Sequence, residues 1–291
     1  MRSGPEMPPL ISAKVILLIC LATSSIVVGD TAGKVLTSAG ISPFFVAWTR
    51  FALAAALLLP FAGLTRTELP ELLNWRVILR AALIAGGITC ILTALRTEPI
   101  ANVFGAFFIG PIVSYVLSVL LLGERVAAAR SVLLLIGFAG VLLVVQPGLN
   151  MGTGMVFALL AGTFYGCYLT ATRWLAAFYR PRFLLAAQLL IGAIVLSPLG
   201  LTHLPSGGAP AMWTLILLSA LASAFGNFLL VVVNRTTPAT ISAPLIYFQL
   251  IAAAVLGVLV FADWPDVLSL IGLTVILASG LGGFLLARQN K

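Results

Sequence analysis

The sequence predicts an all-α membrane protein of ten transmembrane helices, arranged as two inverted five-helix repeats. Three observations carry this. The first is composition: of 291 residues, 61% are hydrophobic and 8% charged, with a mean hydropathy of +1.17. A soluble domain carries about 25% charged residues, so there is too little polar surface here to cover a water-soluble globule. The second is the length of the apolar runs, about 20 residues each, enough to cross a hydrocarbon core of roughly 30 Å as helices. Only helices and closed barrels span a bilayer. Barrel strands alternate apolar and polar residues, whereas Leu53–Leu59, Val132–Val145 and Val255–Phe261 are unbroken. The third is the distribution of Lys and Arg, taken up below.

The spans fall at 14–34, 43–62, 76–96, 99–122, 127–146, 153–173, 182–201, 211–233, 238–262 and 266–287. Span 1 begins like a signal peptide, with Lys14 before Val15–Leu21, but no A-x-A-like cleavage site follows and nine more apolar runs do; it reads as a first span. Prolines and turn pairs punctuate the rest: Ser42-Pro43 before span 2, Pro70 before span 3, Glu98-Pro99 before span 4, Gln146-Pro147-Gly148 before span 6 and Arg180-Pro181 before span 7. Pro205 through Gly208, Pro238 and Pro265 open the last three spans. The loops are short, and no soluble domain is evident.

With ten spans, one side of the membrane holds thirteen Lys/Arg residues, from Arg2 to Lys291, and the other holds Lys34, Arg96 and Arg50. The positive-inside rule then predicts a plasma (inner) membrane protein with both termini cytoplasmic.

Arg96-Thr97-Glu98-Pro99 recurs as Arg235-Thr236-Thr237-Pro238, and the same shift carries Lys34 onto Arg173 and Glu124 onto Asp263. Leu135-Ile136-Gly137 then meets Leu270-Ile271-Gly272 after a four-residue slip. The repeat divides the chain into 1–148 and 149–291. Five spans per half make the halves enter the membrane in opposite directions. The loop with Arg66, Arg76 and Arg80 accordingly matches a loop around His203 without Lys or Arg. Inverted halves can exchange conformations and open a central site to each side in turn, which points to a carrier working by alternating access.

The net charge of +8 lies in short loops without interleaved aromatics, so no nucleic-acid partner is implied. Cys20, Cys90 and Cys167 lie in apolar runs and read as small buried residues. The single histidine, in a loop, removes His-cluster metal chemistry, and no paired carboxylates or Ser/His/Asp set marks an enzyme. No G-x-x-x-x-G-K-[ST] sequence occurs, so ATP-driven pumping by this chain is not indicated. No cofactor is expected. A pore would need a continuous polar lining that these spans lack.

Polar groups at membrane depth are costly and mark sites. Thr23 and Asp30 share a stripe on span 1. Thr89, Thr93 and Arg96 share a face of span 3. Ser219, Ser223 and Asn227 share one on span 8. Span 4 offers Asn102, Phe107, Pro111 and Ser114. Span 6 offers Tyr165, Tyr168 and Thr172. Span 9 offers Thr240, Pro244 and Tyr247, with Gln249 beside them. Small hydroxyls also bond carbonyls of their own helix. The substrate-binding candidates are Thr23, Thr89, Thr93, Asn102, Phe107, Tyr165, Tyr168, Asn227, Tyr247 and Gln249. Asp30 and Arg50 are candidates for proton coupling or gating. Either they pair with one another, or Asp30 pairs with Lys34 one turn on. Pro111 and Pro244 each remove a backbone hydrogen bond, giving a kink or a freed carbonyl facing a site. Gly29 and Gly33 form a G-x-x-x-G packing face, within the chain or for a homodimer; the chain is read as a monomer or a homodimer.

The fourth span carries a resemblance. A Pro99 start, Pro111 inside and a Leu122-Gly123-Glu124 end, with Arg50-Phe51 in span 2, resemble the ten-helix EamA-type members of the drug/metabolite transporter superfamily. The likeness covers essentially the whole chain. In the second half Ala262-Asp263 stands where that motif has glycine-glutamate. Among members, bacterial exporters of aromatic amino acids are the nearest in overall pattern. The resemblance implies a secondary transporter of small metabolites, amino acids in particular, with drug or proton-coupled export as the alternative. It implies a central cavity lined by spans 1, 3, 4, 6, 8 and 9, where Tyr165, Tyr168, Tyr247 and Phe107 stack on a flat substrate.

Overall fold

The computed structural model describes residues 13–123, 128–146, 152–205, 207, 209–236 and 246–289. Among these the regular structure is helical, with no strand. The first region contains α1 (Ala13–Ser38), α2 (Pro43–Ala62), a single 3₁₀ turn at Pro70–Leu73, α3 (Trp75–Leu95), α4 (Ile100–Phe107), α5 (Ile109–Leu122) and α6 (Ala128–Val145). The second contains α7 (Thr153–Leu175), α8 (Pro181–Thr202), α9 (Pro210–Thr236), α10 (Phe248–Phe261) and α11 (Val267–Gln289). Counting Ile100–Leu122 as one rod, 7 helices are long and apolar enough to cross a membrane. Three shorter apolar helices accompany them, Ser131–Val145, Phe248–Phe261 and Val267–Gly282. The proposed boundary near residue 148, and Thr240, Pro244 and Glu124, lie outside the described residues.

Proline at the first turn starts α2, α8 and α9, where its missing N–H costs nothing. The fourth rod is broken at Phe108, one turn before Pro111. Pro111 has no N–H for the Phe107 carbonyl, and its ring crowds that oxygen. The freed carbonyl has a neighbour across the helix interface. It lies against Gly162 of α7, and Gly110 lies against Gly166 one turn on. The break thus lets the rod approach α7 closely, a packing role.

The heaviest contacts join the two regions: α1 with α9, α3 with α7, α2 with α8, and α6 with α11. Lipid tails are as apolar as leucine, so association in a membrane needs close backbone approach rather than burial of apolar area. Glycines supply it. Gly29 faces Ser219 and Ser223 across α1 and α9, Gly226 meets the Ala22 carbonyl, and Gly140 meets Gly272 across α6 and α11. The Gly29/Gly33 face is therefore spent inside the chain and is not an exposed dimer surface. Phe45, Leu92, Phe104 and Leu250 are buried, while Leu120, Leu135, Val255 and Leu259 point outward, the apolar exterior that a bilayer requires.

Candidate functional site

Between the two regions lies a cavity of about 370 Å³. Its wall is drawn from α1, α2, α3, α4, α7, α8, α9 and the start of α10. Most of it is aliphatic, with Ile26, Leu58, Ile84 and Leu230 among the lining side chains. One flank is aromatic. The Phe107 and Tyr165 rings are 4.9 Å apart, and Tyr165 stacks on Tyr168 at 5.9 Å with the planes 26° apart.

One buried arginine stands on this wall and a second lies behind it. Arg50, near the start of α2, donates from Nη1 to Asp30 Oδ1 (2.5 Å), from Nη2 to the Gly29 carbonyl (2.6 Å) and from Nε to Ser219 Oγ (2.9 Å). Ser219 Oγ in turn donates to the Gly29 carbonyl at 2.9 Å. Asp30 and Arg50 are 4% and 6% exposed, and both line the cavity. Asp30 pairs with Arg50 and not with Lys34. Lys34 reaches Asp263 Oδ2 and the Glu98 carbonyl, each at 2.8 Å. The second arginine, Arg80, lies near the start of α3, which runs back from the end of α2. It donates to Thr172 Oγ1 (2.8 Å), the Leu184 carbonyl (2.8 Å) and Tyr168 Oη (2.9 Å). Tyr168 Oη donates on to Gln188 Oε1 at 2.8 Å.

Polar ties join the two regions on both faces. On the arginine-rich face, Arg180 grips both oxygens of Glu68 (2.5 and 2.6 Å), and Tyr179 donates to Glu71 Oε2 at 2.5 Å. The Arg180 hydrogen bond holds the Glu68 carboxyl down to about 2, and the Tyr179 hydroxyl lowers Glu71. Arg76 stacks on Trp174 with its guanidinium carbon 4.7 Å from the ring centroid, as in an interfacial aromatic belt. The other face carries Lys34–Asp263 and a Gln146–Asp266 hydrogen bond of 2.6 Å.

The structure brings Phe107, Tyr165, Tyr168, Asn227, Gln249, Asp30 and Arg50 together on this one wall. Five sequence candidates lie elsewhere. Thr23, Thr89 and Thr93 spend their hydroxyls on carbonyls one turn back, Ile19, Ala85 and Thr89, which ties each to its own helix. Asn102 is not on the wall, and its Oδ1 is buried without a partner among the described residues. Tyr247 precedes α10 rather than sitting inside a helix; its ring packs 4.6 Å from Phe108 and against Gly280. Arg80 and Gln188 were missed. Each lies a few residues inside its span, the argument that singled out Arg50, but Arg80 was grouped with the loop cations. Thr172 and Ser223, members of the polar stripes, also line the cavity, and Ser223 Oγ is buried without a partner among the described residues.

Known proteins resemble this chain throughout its length. A crystal structure superposes with a TM-score of 0.64 at 20% identity, covering 94% of this chain and 99% of the other; that shows a common fold. An S-adenosylmethionine uptake transporter of Rickettsia prowazekii is 24% identical over 283 residues, spanning 94% of this chain and 92% of the relative. A riboflavin transporter of Brucella anthropi is 23% identical over 252 residues, 84% of this chain and 89% of that one. These names differ from the aromatic amino acid exporters that the overall pattern brought forward. The EamA-like transporter profile matches twice, over residues 13–146 and 152–282. This chain, a multi-pass membrane transporter, belongs to the EamA-like transporter family.

Proposed function

We propose that the chain is a secondary transporter that moves a small, flat-ringed metabolite by alternating access around the central cavity. In this reading ten spans form two inverted five-helix halves, divided near residue 148, in the inner membrane with both termini cytoplasmic. The double family match and the pairing of α1 with α9 and α3 with α7 support the inverted arrangement. Exchange of the halves would carry the first contact onto the second.

The observation that carries the reading is the cavity. Its volume of about 370 Å³ falls in the range of small-molecule sites, roughly 300–1,000 Å³, and the Phe107, Tyr165 and Tyr168 rings form a stacking wall. Aromatic amino acids, S-adenosylmethionine and riboflavin all present a planar ring to such a wall. The ties on both faces are the contacts that rocking halves break in turn. The Asp30–Arg50 pair, buried on the cavity wall, is the candidate for gating or proton coupling.

The test is uptake into proteoliposomes of labelled phenylalanine, tryptophan, S-adenosylmethionine and riboflavin, with and without a pH gradient. Saturable uptake and counterflow of at least one are expected. Tyr165→Ala and Tyr168→Ala are expected to weaken it about tenfold, the loss of one stacked ring. Flux that rises linearly without saturation would mark a pore, and no flux from folded protein would withdraw the substrate class.

A further inference from the structure

Arg80 is a buried cation that no carboxylate of the described residues answers. It is 4% exposed, and its three hydrogen-bond partners, Thr172 Oγ1, the Leu184 carbonyl and Tyr168 Oη, are all neutral. Among the described residues no carboxylate pairs with it, whereas Arg50 has Asp30 and Lys34 has Asp263. A guanidinium keeps its charge in a protein and offers five N–H donors, so two remain unspent. An unpaired charge at membrane depth is costly and is retained for a reason.

Its surroundings say what the reason is. Three side chains carry its influence into the cavity wall: Tyr168, Thr172 and Gln188. Tyr168 Oη accepts from Arg80 and donates to Gln188 Oε1. A hydroxyl that accepts from a cation is a stronger donor. Gln188 is 8% exposed, lines the cavity, and its Nε2 has no protein partner among the described residues. Tyr165 and Phe107 stack directly beyond Tyr168. The corner is therefore a ring slot that ends on two hydrogen-bond donors with a positive charge behind them.

We infer that this corner receives a carboxylate carried by the ring-bearing substrate. Tyr168 turns its hydroxyl from Gln188 to the incoming oxygen, the Gln188 amide donates to the second oxygen, and Arg80 supplies the balancing charge. Arg80 acts through Tyr168 and is a positioning residue. The inference rests on the transporter reading and narrows it to carboxylate-bearing solutes. S-adenosylmethionine has that group and riboflavin lacks it.

Binding is measured apart from transport, so that the two readings fail separately. The purified chain is titrated with matched pairs, indole-3-acetate against indole-3-acetamide and phenylalanine against phenylalaninamide, and ligand-induced thermal stabilisation is followed. The acid of each pair is expected to bind on the order of tenfold to a hundredfold tighter than its amide, the size of a charge-assisted hydrogen bond. Arg80→Gln erases that gap, Tyr168→Phe shrinks it, and Arg80→Lys restores part of it. Equal binding of acid and amide, a gap that survives in folded Arg80→Gln, or no binding of either acid would overturn the inference. Saturable riboflavin flux would leave the transporter reading standing in each of those cases. Repeating the titration in phosphatidylcholine vesicles with and without phosphatidylglycerol covers the other source of an oxyanion. Loss of the gap with the anionic lipid would assign the corner to a headgroup and overturn the substrate assignment.

Discussion

The two arginine clusters hold the same charge at similar burial and solve it differently. At one end, Arg50 is bound by Asp30, Ser219 and the Gly29 carbonyl, so its charge is neutralised inside the protein. At the other, Arg80 is bound by Tyr168, Thr172 and the Leu184 carbonyl, and no carboxylate of the described residues neutralises it. The clusters are built at related positions: Gly29 and Tyr168, Gly33 and Thr172, and Arg80 and Ser219 each stand 139 residues apart. Where α1 uses glycine to press against α9, α7 uses Tyr168 and Thr172 to hold an arginine from α3. One cluster thus closes on its own carboxylate, and the other holds its arginine on neutral partners alone among the described residues.

The largest effect should come from breaking the closed cluster. Asp30→Asn leaves Arg50 buried without its counter-charge, which costs about 3–5 kcal/mol. A steep fall in the melting temperature of the detergent-solubilised protein is expected. Asp30→Leu combined with Arg50→Met should recover most of it, because an apolar pair of similar volume replaces a buried ion pair at little cost. If the single variant melts like wild type, the cluster is not the junction described. Arg80→Gln should be milder, within about 1 kcal/mol of wild type, because relief from burying a charge offsets the lost hydrogen bonds. Thermal melts of the two variants side by side sharpen the contrast; equal losses would erase it.

The smallest effect belongs to the exposed loop tie. Glu68 has its carboxyl lowered to about 2 by Arg180. A depressed carboxyl contributes stability above its unfolded value and loses it as pH falls through the folded one. The melting difference between wild type and Glu68→Gln should be small and constant from pH 8 to about pH 5, then vanish towards pH 2. A difference that changes between pH 8 and 6 would point to another group.

Much of this was legible in the sequence because membrane physics is local. Apolar length gives the helices, and proline gives the starts at Pro43 and Pro181. Among the aromatic and amide candidates taken from the cost of polar groups at depth, Tyr165, Tyr168, Asn227 and Gln249 stand on the cavity wall, and Asn102 and Tyr247 do not. The same rule misfires for Thr23, Thr89 and Thr93. A threonine hydroxyl satisfies itself on its own helix, so depth does not reveal direction. Arg80 was misread for the opposite reason. A cation four residues inside a predicted span looks like a snorkelling loop residue, and only the neighbouring ends of α7 and α8 show that it points inward.

The sequence by itself determined the class of protein: a helical membrane chain. Composition and apolar run length decide that, and neither depends on which segments pack together. Only the tertiary structure decided which polar groups meet. The pairing of Asp30 with Arg50 rather than Lys34, the packing of the Pro111 break on Gly162, and the isolation of Arg80 from any described carboxylate each depend on contacts between the two regions. Partners far apart in sequence are fixed by packing, and periodicity within a helix carries no information about them.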